Sequence, residues 1–252
     1  MKIFPVSDMH LEFHHQLLPP YRGLADVVVC AGDMHTKGRA PRYLRMIFEN
    51  QEIIYVAGNH EYYGSSIEEQ DELLREECKK YGIHFLQRDR TEIDGVTFVG
   101  CTLWSDFKLF GLARETEAIA ETRRCLKDYH VISFDRKKTR VIEPTDTRAI
   151  HRKDVAWLHK QFAKKPEKLV IVTHHGPSIK SLHPAYTEDI VSCGFASALD
   201  DMVNASRANY WISGHSHCAQ HFRIGQTEVY QNCLGYPTER IDGFDPWLIL
   251  EL

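Results

Sequence analysis

Residues 53–63 read Ile-Ile-Tyr-Val-Ala-Gly-Asn-His-Glu-Tyr-Tyr. A short apolar run, Ile53 to Ala57, breaks at a glycine into a turn that carries Asn, His and Glu. Runs of this length without polar alternation fit strands buried on both faces, and glycine permits a sharp exit from them. A short apolar run that breaks into a turn carrying Asp, Asn or His recurs four more times, and glycine opens two of those turns. Lys2 to Val6 is followed by SDMH (7–10), Val27 to Ala31 by GDMH (32–35), Leu169 to Thr173 by HHGP (174–177), and Tyr210 to Ser213 by GHSH (214–217). In α/β sheets, ligands gather beyond the carboxyl ends of the strands. Five strands that end in metal-competent side chains therefore predict one shared site.

Helical patterns lie between these strands. Ser65 and Ser66 precede Glu68 and Glu69, a capping-box pattern that opens a helix through Tyr81. Arg152 to Ala163 places Val155, Leu158 and Phe162 on one face, and Glu115 to Tyr129 reads as a further helix. Asp94-Gly95 marks a hairpin, and His221–Ile224 with Thr227–Gln231 flank Gly225 as β-structure. Strands alternating with helices, then hairpins, predict a layered α/β domain with two sheets. A length of 252 residues, 43% hydrophobic and 26% charged, suits one unit spanning 1–252.

A net charge of -4 argues against a surface that coats a nucleic-acid duplex. Seven scattered cysteines, with no Cys-x-x-Cys pair, read as reduced, buried thiols. No run approaches the ~18 apolar residues of a membrane span. MKIFPVSDMH enters a strand at once and leaves no room for a signal peptide, so a cytoplasmic location is expected.

The candidate ligands are Asp8, His10, Asp33, Asn59, His174, His215 and His217. Oxygen and imidazole donors without sulfur suit Mn, Fe or Zn. Seven exceed what one ion takes from protein but fit two divalent ions that share a bridging carboxylate. Two ions about 3.5–4 Å apart suit phosphoryl chemistry, in which they polarise the ester and ionise a water. His60, next to Asn59, is placed to protonate a departing alkoxide. His14, His15 and His35 read as surface histidines without a role.

The order Asp-x-His, Gly-Asp, Gly-Asn-His-Glu, His, Gly-His-x-His spans residues 8–217 and resembles the calcineurin-like metallophosphoesterase superfamily. That resemblance implies a four-layer α/β/β/α sandwich with two mixed β-sheets and the metal site at the carboxyl ends of the strands. It implies that Asp8, His10 and His217 hold one metal, that Asn59, His174 and His215 hold the other, and that Asp33 bridges them. The sequence alone leaves His175 open beside His174. The resemblance departs at Thr36, where many members carry an acidic residue or Asn, used in some to orient the histidine of the Gly-Asn-His block.

The implied activity is hydrolysis of phosphomonoesters or of small phosphodiesters and nucleotides by a metal-activated water. A nuclease, or a catalytically silent metal-bound interaction module on the same fold, are the competing readings. Asn59, His60 and Tyr62 are the expected substrate-binding residues, with Tyr62 and Tyr63 available to stack on a base or aryl group. Residues 105–150 break the strand rhythm and read as an insertion that caps the site. Within it, Arg136, Lys137, Lys138 and Arg140 either attract phosphate or form a solvated loop.

Overall fold

The computed structural model describes residues 1–13, 21–239 and 243–252, so His14 and His15 lie outside the described residues. Strands β1 (Lys2–Val6), β2 (Val27–Ala31) and β3 (Glu52–Val56) run parallel. Val6 stands beside Cys30 and Ala31 beside Val56, so the three strands end at one level. Strand β4 (His84–Phe85) extends this sheet parallel to β3, and β11 (Leu250–Glu251) pairs antiparallel with β1.

The second sheet has the order β5-β6-β7-β8-β10-β9. Its parallel centre is β6 (Val96–Cys101), β7 (Leu169–Thr173), β8 (Tyr210–Ser213) and β10 (Thr227–Gln231). Antiparallel edges are β5 (Asp89–Ile93), joined to β6 through Asp94-Gly95, and β9 (Gln220–Ile224). Both sheets are mixed.

The period of two along each strand sorts the apolar side chains into layers. From β1–β3, Phe4, Val6, Val28, Cys30, Ile53 and Tyr55 face Leu44 of α1 (Ala40–Ile47) and Leu74 of α2 (Ile67–Lys80). The intervening Ile3, Val27, Val29, Ile54 and Val56 meet Phe98, Val170, Val172 and Ile212 between the sheets. On the far side, Val99, Cys101, Ile171 and Trp211 pack on Leu158 of α5 (Pro144–Phe162) and on Met202 and Val203 of α6 (Asp200–Ser206). The result is the α/β/β/α sandwich. Burying each Val, Leu or Ile stabilises by roughly 1.5–3 kcal/mol, which explains why the strands read as unbroken apolar runs.

Two helices differ from their sequence-based bounds. The Glu115–Tyr129 helix is two pieces, α3 (Glu115–Cys125) and α4 (Asp128–Val131), parted where Leu126 turns extended. The break lets Asp128, 2% exposed, enter the site described below. Helix α5 begins eight residues before Arg152. Pro144 occupies its first turn, and Glu143 and Asp146 form a reciprocal capping box. Ser66 caps α2 by accepting from the Glu69 amide at 3.3 Å. All seven cysteines are free, and only Cys125 is exposed.

Candidate metal centre and active-site cleft

The turns after β1 and β2 are stitched together by their backbones. Asp8 N donates to Gly32 O, His10 N to Asp33 O and Leu11 N to Met34 O, each at 3.0 Å. Within them Asp8, His10 and Asp33 take φ values of 54°, 43° and 55°, and in the turn after β8 His215 and His217 take 69° and 45°. Left-handed backbone costs a non-glycine residue about 1–2 kcal/mol. Five of the seven candidate ligands bear that strain, as is common where a site fixes its geometry. Gly32, at φ 90°, could not be alanine, because a Cβ there would stand 2.3 Å from His174 Nδ1. A Cβ on Gly58 would lie 2.1 Å from Asp33 Oδ1.

Glu61 ties the second and third turns together from below. It is fully buried. Its Oε1 accepts from Met34 N (2.8 Å) and Tyr55 OH (2.8 Å), and its Oε2 from Asp33 N (3.1 Å) and Gly58 N (2.8 Å).

Two clusters form above this base. Asp8, His10 and His217 bring ligand atoms within 4.8 Å of one another, as do Asp33, His174 and His215. In the first, His10 Nε2 faces His217 Nε2 at 2.9 Å, and His217 Nε2 lies 3.5 Å from Asp8 Oδ1. In the second, His174 Nε2 lies 3.0 Å from Asn59 Oδ1, 3.1 Å from His215 Nδ1 and 3.5 Å from Asp33 Oδ1. The other Asp33 oxygen, Oδ2, is 3.9 Å from His10 Nε2. One carboxylate therefore turns an oxygen to each cluster.

Acceptors on the far side fix which atoms face inward. His174 Nδ1 donates to Ala31 O at 2.9 Å, and His217 Nδ1 sits 2.6 Å from Glu239 Oε2. Asn59 Nδ2 donates to Asp128 Oδ1 at 2.8 Å, which leaves Oδ1 for the centre. Tyr63 OH reaches the same Asp128 oxygen at 2.8 Å. His10 Nδ1 and His215 Nε2 are buried without a hydrogen-bond partner among the described residues.

The electrostatics suit cations. Burial, with Glu61 and Asp8 nearby, pushes the Asp33 carboxyl well above its ordinary range. Burial also lowers His174 and His215, keeping them neutral with lone pairs free. At Asp8 burial acts upward but is outweighed by His217, His174 and His10, which draw it down. Neutral imidazoles, crowded carboxylates and orphaned nitrogens fit divalent ions held by oxygen and nitrogen.

The remaining site expectations divide. His60 Nε2 stands 4.0 Å from Asp33 Oδ2 and lines the cleft, as do Asn59 and Tyr63. Tyr62 does not. It is fully buried, with its hydroxyl donating to Asp71 Oδ1 at 2.9 Å, so it is not placed to meet a substrate, whereas its neighbour Tyr63 lines the cleft. His175 turns away toward Trp104 and Thr102 O. His35 is not a surface residue: it is 5% exposed and stacks on Tyr43. The basic run also points elsewhere. Arg136 pairs with Glu72, and Arg140 pairs with Asp146 at 2.6 Å over the Phe134 ring. Neither lines the cleft. Leu126, Lys127 and Asp128 do.

A sandwich of this kind, with histidines and carboxylates paired at its strand ends, defines a class of metal-dependent hydrolases. The chain belongs to the calcineurin-like phosphoesterase family, whose model matches residues 1–219. It is similar to "Uncharacterized protein L509" of Acanthamoeba polyphaga mimivirus, 27% identical over 214 residues, covering 79% of this chain and 73% of the viral protein. Its fold is similar to that of the phosphopantetheinyl hydrolase (PptH) of Mycobacterium tuberculosis. There the TM-score is 0.73 at 18% identity, over 94% of this chain and 90% of that one. Among the described residues, no helix is long and apolar enough to cross a membrane.

Proposed function

We propose that the chain is a dinuclear phosphoric ester hydrolase for small esters carrying one phosphoryl group, nucleotides included, on an apolar or aromatic organic part. The carrying observation is the cleft of about 640 Å³ whose floor is Asp33, Asn59, His60, His215 and His217. Its walls include apolar Leu126, Leu182, Val191 and Phe195 and the rings of Tyr186 and Tyr236 beside polar His183, Asp189, Ser192 and Glu239, and Lys127 is the one lysine or arginine among its described lining. Such walls bind an apolar group and leave a second phosphate with little to meet. Residues 105–150 serve as the cap of a single domain, a reading supported by Leu126–Asp128 at the cleft.

Bound at the two clusters, divalent Mn, Fe or Zn would supply Lewis acidity and an ionised water. Asp33 holds the clusters together, while Asp8, His10 and His217 on one side and Asn59, His174 and His215 on the other hold their donors inward. His60 presents Nε2 beside them, where the ring in its imidazolium form gives the Nε2 proton to the leaving oxygen and is left neutral.

The test is a panel on metal-replete protein: nitrophenyl and alkyl monoesters and diesters, nucleoside monophosphates, dinucleoside polyphosphates and duplex DNA. Turnover of single-phosphate esters, with little on polyphosphates or duplex, is expected. Protein that holds two ions and turns over no ester would sink the hydrolase reading in favour of a silent binding module.

A further inference from the structure

His60 needs a partner to define its role, because an imidazole presents two unlike nitrogens and only one can face a leaving group. The residue three positions after Asp33 does not provide that partner. The Thr36 hydroxyl lies 3.4 Å from His35 Nδ1 instead. A carboxylate reaches His60 from a different turn: Glu12 Oε1 stands 2.9 Å from His60 Nδ1.

We propose that Glu12 is the positioning residue for His60, holding ring Nδ1 on its carboxylate and thereby turning Nε2 into the cleft. Glu12 sits two residues beyond His10, in the turn whose backbone is pinned by the His10-to-Asp33 and Leu11-to-Met34 hydrogen bonds. Its side chain is only 11% exposed, so the carboxylate is placed by packing. An ionised carboxylate only accepts, so His60 Nδ1 must donate. In the neutral ring Nε2 is then an acceptor, and Tyr236 OH lies 3.1 Å from it. A proton taken up from solvent at Nε2 gives the imidazolium with Nδ1–H still on Glu12, and passing that proton to the leaving oxygen returns the same neutral tautomer. The opposite tautomer would set a nitrogen lone pair against a carboxylate. The Tyr63 ring, stacked on His60 at 4.2 Å, holds the plane of the imidazole while Glu12 sets its direction. The turn that carries Asp8 and His10 thus also orients the residue acting on the leaving group, a role that rests on the hydrolase reading above.

The experiment uses zinc-loaded, ¹⁵N-histidine-labelled protein, with the His60 signals assigned by their loss in His60→Asn. Wild type should show the Nδ1–H tautomer with a slowly exchanging proton. Glu12→Ala should lose that proton, and Glu12→Gln should keep it, because the amide oxygen still accepts. In turnover, Glu12→Ala should fall about 10–100-fold on an alkyl ester and only a few-fold on a nitrophenyl ester, whose leaving group needs little protonation. The double variant with His60→Asn should be no slower than His60→Asn alone. An Nε2–H tautomer in wild type overturns the proposal. So do equal losses on both esters accompanied by loss of an ion, which would assign Glu12 to His10, 3.7 Å away. The expected tautomers in a protein that hydrolyses no ester uphold the positioning role and sink the hydrolase reading.

Discussion

Glu61→Gln separates what a buried charge contributes from what its shape contributes. Glu61 accepts four hydrogen bonds, two on each oxygen. A glutamine must replace one oxygen by an amino group. With the nitrogen at the Oε2 place, it would face the amides of Asp33 and Gly58, and two buried donors would be orphaned. With the nitrogen at the Oε1 place, Tyr55 OH can rotate to accept, so the Met34 amide and the hydroxyl proton lose their acceptor but three of the four contacts survive as hydrogen bonds, against two in the first arrangement. The second arrangement therefore wins. It forfeits one charge-assisted bond, worth about 1.5–3 kcal/mol, and weakens those that remain. Against this, removal of the charge relieves Asp33, whose carboxyl Glu61 helps to push up. The net expectation is a loss of about 2–4 kcal/mol in unfolding free energy. Tyr55→Phe, which removes one donor and leaves three, should cost about 1 kcal/mol. Urea unfolding of metal-free protein is the appropriate assay, because bound metal would add its own stabilisation. Hydrogen exchange should speed at the Met34 amide first. A Glu61→Gln variant within about 0.5 kcal/mol of wild type, or one no worse than Tyr55→Phe, would refute this reading of the tie.

Three further outcomes follow from the geometry. Asp128→Ala removes the acceptor that keeps Asn59 Oδ1 inward, so metal titration should show one site weakened about 10–100-fold and the other retained. Arg136→Ser with Arg140→Ser should leave KM and its salt dependence unchanged, because both cations are engaged away from the cleft; a KM that rises at low salt would return the insert's basic run to substrate binding. Burial pushes the Asp154 carboxyl up to about 6 despite Arg88 at 2.6 Å. The folded state then holds a proton that the unfolded state releases from about pH 3.8 upward. Stability linked to Asp154 is present below that pH and lost as pH rises through about 6, roughly 3 kcal/mol in all. Denaturation of Asp154→Asn at about pH 4.5, inside that window, and about 7.5, above it, should show the part of this decline that falls between them removed, and a decline equal to wild type would refute it.

Much of the fold was legible because buried parallel strands announce themselves. Val27–Ala31, Leu169–Thr173 and Tyr210–Ser213 coincide with the strands observed, and the β3 run is displaced by one residue. The convergence of the candidate ligands was legible for a related reason: each stands one to four residues beyond a strand end, so a one-dimensional pattern encodes a three-dimensional convergence. Where direction depends on a tight turn, that encoding fails. Tyr62 and Tyr63 are adjacent, yet Tyr62 closes the short helical turn His60–Tyr62 and enters the core, while Tyr63 leaves it extended at ψ 125° and faces the cleft. The start of α5 did have a signal, Glu-Pro-Thr-Asp at 143–146, which is a proline-led capping box.

The supporting residues had no such signal, and their chemistry explains why. Glu12, Asp128 and Glu239 each accept from the outer nitrogen of His60, Asn59 or His217. They come from a turn, a four-residue helix and a segment far along the chain, with no spacing in common. In sequence a lone carboxylate reads as solvated surface, and only tertiary placement reveals that it orients an imidazole or an amide. Two imidazoles lack such a partner among the described residues, His10 through Nδ1 and His215 through Nε2. Each belongs to a different cluster, and each is held by ring packing, His10 against Tyr236 at 4.3 Å and His215 against Phe195 at 4.6 Å. Every cluster therefore joins donors locked by hydrogen bonds to one donor set by packing alone. The locked donors define where an ion would sit.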